Sequence, residues 1–215
     1  MSERMYLFTR FERFWHWAQA ALIIVLLFTG FAIHGSHSLI PFGKAVQIHE
    51  VAAWLLIGLW IFAIFWHFTT GAWKHYIPTT QNIDRMVRYY AHGIFIGAPH
   101  PYKVTLERKH NPLQRLAYLG VKLVINPIIW ISGLAYLFWA ELAGKVPAGL
   151  GLEQVATVHT IGAFLMLAFL IIHIYLATAG HTVFAHIKAM ITGWEDAHDD
   201  GPATAGATRP QGSRS

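Results

Sequence analysis

The chain has 215 residues, 55% of them hydrophobic and only 13% charged, and its mean hydropathy is positive. Soluble domains carry about 25% charged residues, so this composition belongs to an integral membrane protein, and nine Trp with fourteen Phe suit lipid-facing, interface-anchored helices. The absence of cysteine excludes disulfides, covalently attached c-type haem, thiolate-held iron–sulfur clusters and Cys-based zinc sites, which leaves fourteen histidines as the strong metal ligands available in number.

The first apolar run opens near Phe14. It is long enough to span and no small-residue cleavage motif follows a short core, so it reads as a retained helix and not as a cleavable signal peptide. Four spans are expected, over about 14–34, 48–70, 114–140 and 155–180. Each reaches the roughly 20 residues a helix needs to cross about 30 Å of hydrocarbon. Pro127 falls inside the third and should kink it. In the loop between the second and third spans, Ile83, Met86, Val87, Tyr90 and Ile94 recur at helical spacing while Asp84, Arg85, Arg88 and His92 fall on other faces. This predicts a short amphipathic helix over about 82–96, lying in the membrane interface. The fold class is therefore all-α: a four-helix membrane bundle over residues 1–195 with one interfacial helix. Residues 196–215, acidic and then rich in Gly, Ala, Thr, Ser and Pro, carry too little apolar surface to fold and are expected to form a flexible polar tail.

The formal charge of +5 is no nucleic-acid signal, because the basic residues segregate by membrane side. Arg4, Arg10 and Arg13 precede the first span. Lys74, Arg85, Arg88, Lys103, Arg108, Lys109 and Arg115 occupy the long loop or its edge, and Lys188, Arg209 and Arg214 follow the fourth span, while the opposite side has Lys44 and Lys145 alone. By the positive-inside rule both termini and the long loop are cytoplasmic.

An ionisable side chain inside lipid is costly and so marks function by default. His159 and His173 lie fourteen residues apart on the fourth span. At about 100° per residue they return to within roughly 40° of one face, and at 1.5 Å rise they are about 21 Å apart along the axis. One helix thus presents one ligand toward each side of the bilayer. By topology His49 shares the outer level with His159, and His16 shares the inner level with His173. Two facing imidazole pairs suit two low-spin b-type haems, whose filled axial positions favour electron transfer over oxygen binding. His67 lies five helical turns after His49, on the same face. It could replace His16, which would put all four ligands on spans two and four, and the pattern alone leaves both layouts open. Gly30, Gly58, Gly133 and Gly162 within the spans could seat a flat macrocycle or simply let helices pack closely. The histidines at span edges and in loops, among them His34, His37 and His186, read as interfacial residues.

The stretch RFERFWHW (10–17), IHE opening span two, WKHYIPT after it, KHNPLQRLAYL opening span three, and His159-x13-His173-x-Tyr175 together resemble the diheme cytochrome b subunits of bacterial respiratory complexes. These are the membrane subunits of nickel–iron hydrogenases, formate dehydrogenases and thiosulfate-reductase-type enzymes, and the resemblance covers about residues 5–195. It implies His49 with His159 on the outer haem b and His16, in preference to His67, with His173 on the inner one. It implies a quinone site beside the inner haem, at Asn111 and Gln114, whose amides offer both donor and acceptor to a quinone carbonyl. Lys122 departs from the apolar pattern of span three and either snorkels or meets a haem propionate, and Arg10 and Arg13 are placed to do the latter.

The expected function is a diheme b-type cytochrome. It would pass electrons between quinone (menaquinone or ubiquinone) at the cytoplasmic side and a periplasmic iron–sulfur or multihaem cytochrome c subunit of an oxidoreductase. Any turnover of its own would be quinone reduction or quinol oxidation. The rivals are a stand-alone transmembrane haem reductase with ligands His49, His67, His159 and His173, and a haem-free anchor for a soluble subunit.

Overall fold

The computed structural model describes residues 4–73, 83–96, 98, 112–147, 149–178 and 182–196. Among the described residues, four helical segments are long and apolar enough to cross a membrane: Arg10–Ile33, Phe42–Thr70, Leu113–Leu137 and Leu152–Thr178. The molecule is an all-α, multi-pass membrane bundle, and its large apolar side chains, such as Phe65, Ile131 and Ile171, point outward where lipid replaces water.

Helix α1 (Arg10–Ile33) starts with a capping box: the Glu12 amide donates to Thr9 Oγ1 at 3.3 Å and the Thr9 amide to Glu12 Oε2 at 2.7 Å. Two otherwise orphaned amides are satisfied at once. Helix α2 (Phe42–Thr70) follows Pro41 and stops at Gly71, whose φ of 72° is the left-handed conformation glycine adopts without strain. Its buried Ala45, Ala52, Leu56 and Ala63 make a narrow stripe of mostly small residues, and α2 packs chiefly against α1.

Helix α3 (Ile83–Ala91) is the amphipathic helix of the long loop. Met86 is fully buried, and Asp84 pairs with Arg88 one turn on at 2.6 Å. The Arg88 guanidinium donates to the Asp84 carboxylate and holds its pKa below the ordinary value. The helix is shorter than the sequence suggests, since a 3₁₀ turn, Gly93–Ile96, takes over after Ala91.

The third span is interrupted. Helix α4 (Pro112–Gly120) passes into a π-helical turn, Val121–Ile125, before α5 (Asn126–Leu137) and the short α6 (Trp139–Leu142). The cause is Pro127. Its ring clashes with the carbonyl four residues back and it has no amide to donate, so the preceding turn widens and the Asn126 amide reaches Val121 O, five residues away. The kink expected from sequence takes the form of a π-bulge.

Helix α7 (Leu152–Thr178) packs mainly on α5. The approach is close at Gly162, where a Cβ would fall 2.7 Å from Ile129 Cγ1. Helix α8 (Ala185–Thr192) then leads into a strand, β2 (Trp194–Asp196), that pairs antiparallel with β1 (Arg4–Tyr6). This two-stranded ribbon ties the two ends of the described chain together, and nothing in the sequence reading anticipated it. The tail beyond Asp196 lies outside the described residues.

Candidate functional site: two histidine couples

Near the start of α2, His49 faces His159, near the start of α7, with ring centres 6.2 Å apart and planes at 72°. Near the start of α1, His16 faces His173, near the end of α7, with centres 6.0 Å apart and planes at 48°. These separations are too long for the rings to bond to one another. Two imidazoles on one metal, each with a bond of about 2 Å and about 1.1 Å from nitrogen to ring centre, would place the centres about 6 Å apart. Both couples therefore fit bis-imidazole ligation of a haem iron.

The outer couple is also chemically prepared. Thr29 Oγ1 donates to Val25 O at 2.7 Å, which leaves its oxygen to accept from His49 Nδ1–H at 2.9 Å. Ser132 Oγ donates to Ile128 O and accepts from His159 Nδ1–H at 3.1 Å, and the same nitrogen lies 3.2 Å from Ile129 O. A carbonyl can only accept, so the proton sits on Nδ1 and the Nε2 lone pair is left for a metal.

The four glycines separate by role. A Cβ on Gly30 would meet His49 Cε1 at 3.4 Å, and one on Gly133 would meet His159 Cε1 at 3.0 Å, so both glycines seat a histidine ring. Gly162 serves helix packing against α5, and Gly58 has open space beside it.

In the inner couple, His173 stacks on Phe169 at 5.7 Å, with Tyr118 at 6.4 Å on the other helix pair. His67 is buried on α2. Its Nδ1–H donates to Ala63 O at 2.6 Å and its ring meets Trp15 and Trp66 edge-on, each at 5.2 Å. It also lines a cleft of about 300 Å³ with Trp15, Trp60, Phe68, Trp73 and Lys122. Gln114 is half-buried on α4, one turn before Tyr118, and Asn111 lies outside the described residues. Arg13 does not point simply toward the inner couple: its Nη1 donates to Ile191 O at 2.6 Å. Among the edge histidines, His34 hydrogen-bonds Thr160 at 3.1 Å and His37 bonds Phe28 O at 2.9 Å, each with a local partner.

Sequence reasoning missed Thr29 and Ser132. The signal was present in the dipeptides Thr29-Gly30 and Ser132-Gly133, a hydroxyl followed by the glycine that seats the same ring.

The profile of the family described as prokaryotic cytochrome b561 matches residues 7–193. A protein of Escherichia coli K12 named as cytochrome YdhU is 32% identical over 90% of this chain and 75% of its own length. One of Cupriavidus necator, named as a Ni/Fe-hydrogenase B-type cytochrome subunit, is 28% identical over 77% of this chain and 75% of its own. One of Azospira oryzae, named as a subunit of a protein-methionine-sulfoxide reductase, is 23% identical over 80% and 91%. No solved structure matches the chain significantly.

Proposed function

This chain belongs to the prokaryotic cytochrome b561 family and is a membrane b-type cytochrome of electron transfer, and from that premise we propose that it binds two haems b and carries electrons across the inner membrane. The observation that carries the reading is the pair of histidine couples with 6.0 and 6.2 Å between ring centres, at the two ends of α7. His49 and His159 hold the outer group and His16 and His173 the inner one. Haem iron supplies one-electron redox chemistry when bound. The four imidazoles would hold the two groups, and the surrounding helices would keep water away from them. His16 is preferred to His67 because the imidazole that meets His173 is that of His16, at 6.0 Å between ring centres, while the ring contacts of His67 are with Trp15 and Trp66.

The cytoplasmic side is taken as the His16–His173 end, where Arg4, Arg10, Arg85, Arg88 and Lys188 cluster in sequence against Lys44 and Lys145 at the other. Quinone, menaquinone or ubiquinone, exchanges electrons there, with the side-chain amides of Asn111 and Gln114 donating to its carbonyl oxygens and accepting from the hydroxyls of the quinol. The outer partner is a periplasmic iron–sulfur or multihaem cytochrome c subunit of an oxidoreductase. Relatives named as hydrogenase and sulfoxide-reductase subunits support a partner oxidoreductase subunit.

The test is haem stoichiometry and its histidine dependence in the purified full-length protein. Two b-type haems per chain are expected, and His16→Ala should remove one while His67→Ala leaves both. Loss of the inner haem in His67→Ala with retention in His16→Ala would transfer the assignment to the layout on spans two and four.

A further inference from the structure

The two histidine couples differ in their surroundings. Each ring of the outer couple gives its Nδ1–H to a hydroxyl that is itself locked: Thr29 by its bond to Val25 O, Ser132 by its bond to Ile128 O. Each hydroxyl is followed by the glycine that seats the same ring, Gly30 beneath His49 and Gly133 beneath His159. The inner couple has no matching device on His16, whose Nδ1 is buried without a hydrogen-bond partner among the described residues.

We infer that Thr29 and Ser132 are positioning residues that make the His49–His159 centre the lower-potential one of the two. The inference rests on the diheme reading above. An imidazole whose Nδ1–H is held by an acceptor is the more electron-rich ligand, and such outer partners fix the tautomer and raise ligand basicity. An electron-rich ligand stabilises ferric over ferrous iron. With both rings so held, the outer centre gives up its electron more readily than the inner one. An electron would then pass downhill from the group held by His49 and His159, oxidised as it leaves, to the group held by His16 and His173, reduced as it arrives, with no proton moved between them.

The experiment is an optical redox titration of the b-haem bands in the purified protein and in Thr29→Val, Ser132→Ala, the double variant and Thr29→Ser, with His49→Ala to identify the outer component. Valine keeps the shape of threonine and removes its hydroxyl. Expected is a native titration in two steps, the lower of which vanishes in His49→Ala. That step should move upward in Thr29→Val, by a roughly tenfold fall in ferric-over-ferrous preference, the scale on which such partners act at metal-bound histidines, and by less in Ser132→Ala, where Ile129 O still accepts from His159 Nδ1–H. It should move further in the double variant and stay in place in Thr29→Ser, while the upper step holds throughout. If Thr29→Val does not retain its haem, Ser132→Ala reads the same couple from the other side. A lower step unmoved in the hydroxyl-free variants, an equal shift in Thr29→Ser, or loss of the upper step in His49→Ala overturns the inference with the two haems intact. Fewer than two haems in the native protein overturns the diheme reading itself.

Discussion

At Gly133 the space for a side chain is already taken. A Cβ there would lie 3.0 Å from His159 Cε1, tighter than an ordinary contact, and Ser132 and Ile129 O hold that ring from its Nδ1 side, so it has little room to yield. At Gly30 the corresponding distance, to His49, is an ordinary 3.4 Å, and at Gly58 no atom lies within 4 Å. The three alanine variants should therefore rank. On the proposed ligand assignment, Gly133→Ala should weaken retention of the outer haem about tenfold, the scale on which neighbours of metal-bound histidines act, Gly30→Ala should do so mildly, and Gly58→Ala should be neutral. Haem-to-protein ratios after detergent washing would check the order. In the sequence only the hydroxyl residue before each sets Gly30 and Gly133 apart from Gly162, because a glycine in a membrane helix announces close approach without saying of what.

The elements of the fold were legible to different degrees, each for a physical reason. A lipid core imposes a run of about 20 apolar residues on every crossing helix, so the all-α membrane bundle is visible in hydropathy alone. The same demand hides the helix ends, which continue into the interface where polarity is tolerated: α2 begins at Phe42, ahead of the apolar run opening at Ile48. The break at Pro127 follows from its missing amide, but its form, a π turn over Val121–Ile125, depends on how the neighbouring turns relax. The start of α1 was written in Thr9-x-x-Glu12, a capping signature that hydropathy does not weigh. Thr9→Ala removes the acceptor for the Glu12 amide and should cost about 1 kcal/mol. Thermal unfolding of the purified protein should show a lower midpoint, and Thr9→Ser should restore it.

On the scale of the whole molecule, the bundle is closed by a contact between its ends that hydropathy could not reveal. Three-residue strands are too short to show alternation, and their partners lie at opposite ends of the chain. The closure bears on the site because of where it grips. Arg13 and Trp17 bracket His16 in sequence, and both donate to carbonyls of the C-terminal helix, Arg13 to Ile191 O at 2.6 Å and Trp17 to Met190 O at 3.1 Å. The carbonyl of Gly193 receives the amides of Leu7 and Phe8, at 2.8 and 3.2 Å, just ahead of α1. Gly193 itself has φ of 89°, and a Cβ there would fall 2.6 Å from the Tyr6 ring and 2.7 Å from Phe8 O, so a branched residue suffers both backbone strain and collision. Gly193→Val should unseat the ribbon and loosen the first turns of α1. On the proposed ligand assignment, His16 and the inner haem then suffer first. The outer couple is about 21 Å away along α7 and draws its support from Thr29 and Ser132, so its haem should persist. The expected preparation has the upper titration step diminished or absent and the lower step intact. Equal loss of both steps would instead make the ribbon a determinant of overall folding, and two undiminished steps would mean that α1 holds His16 without help from the C-terminal end.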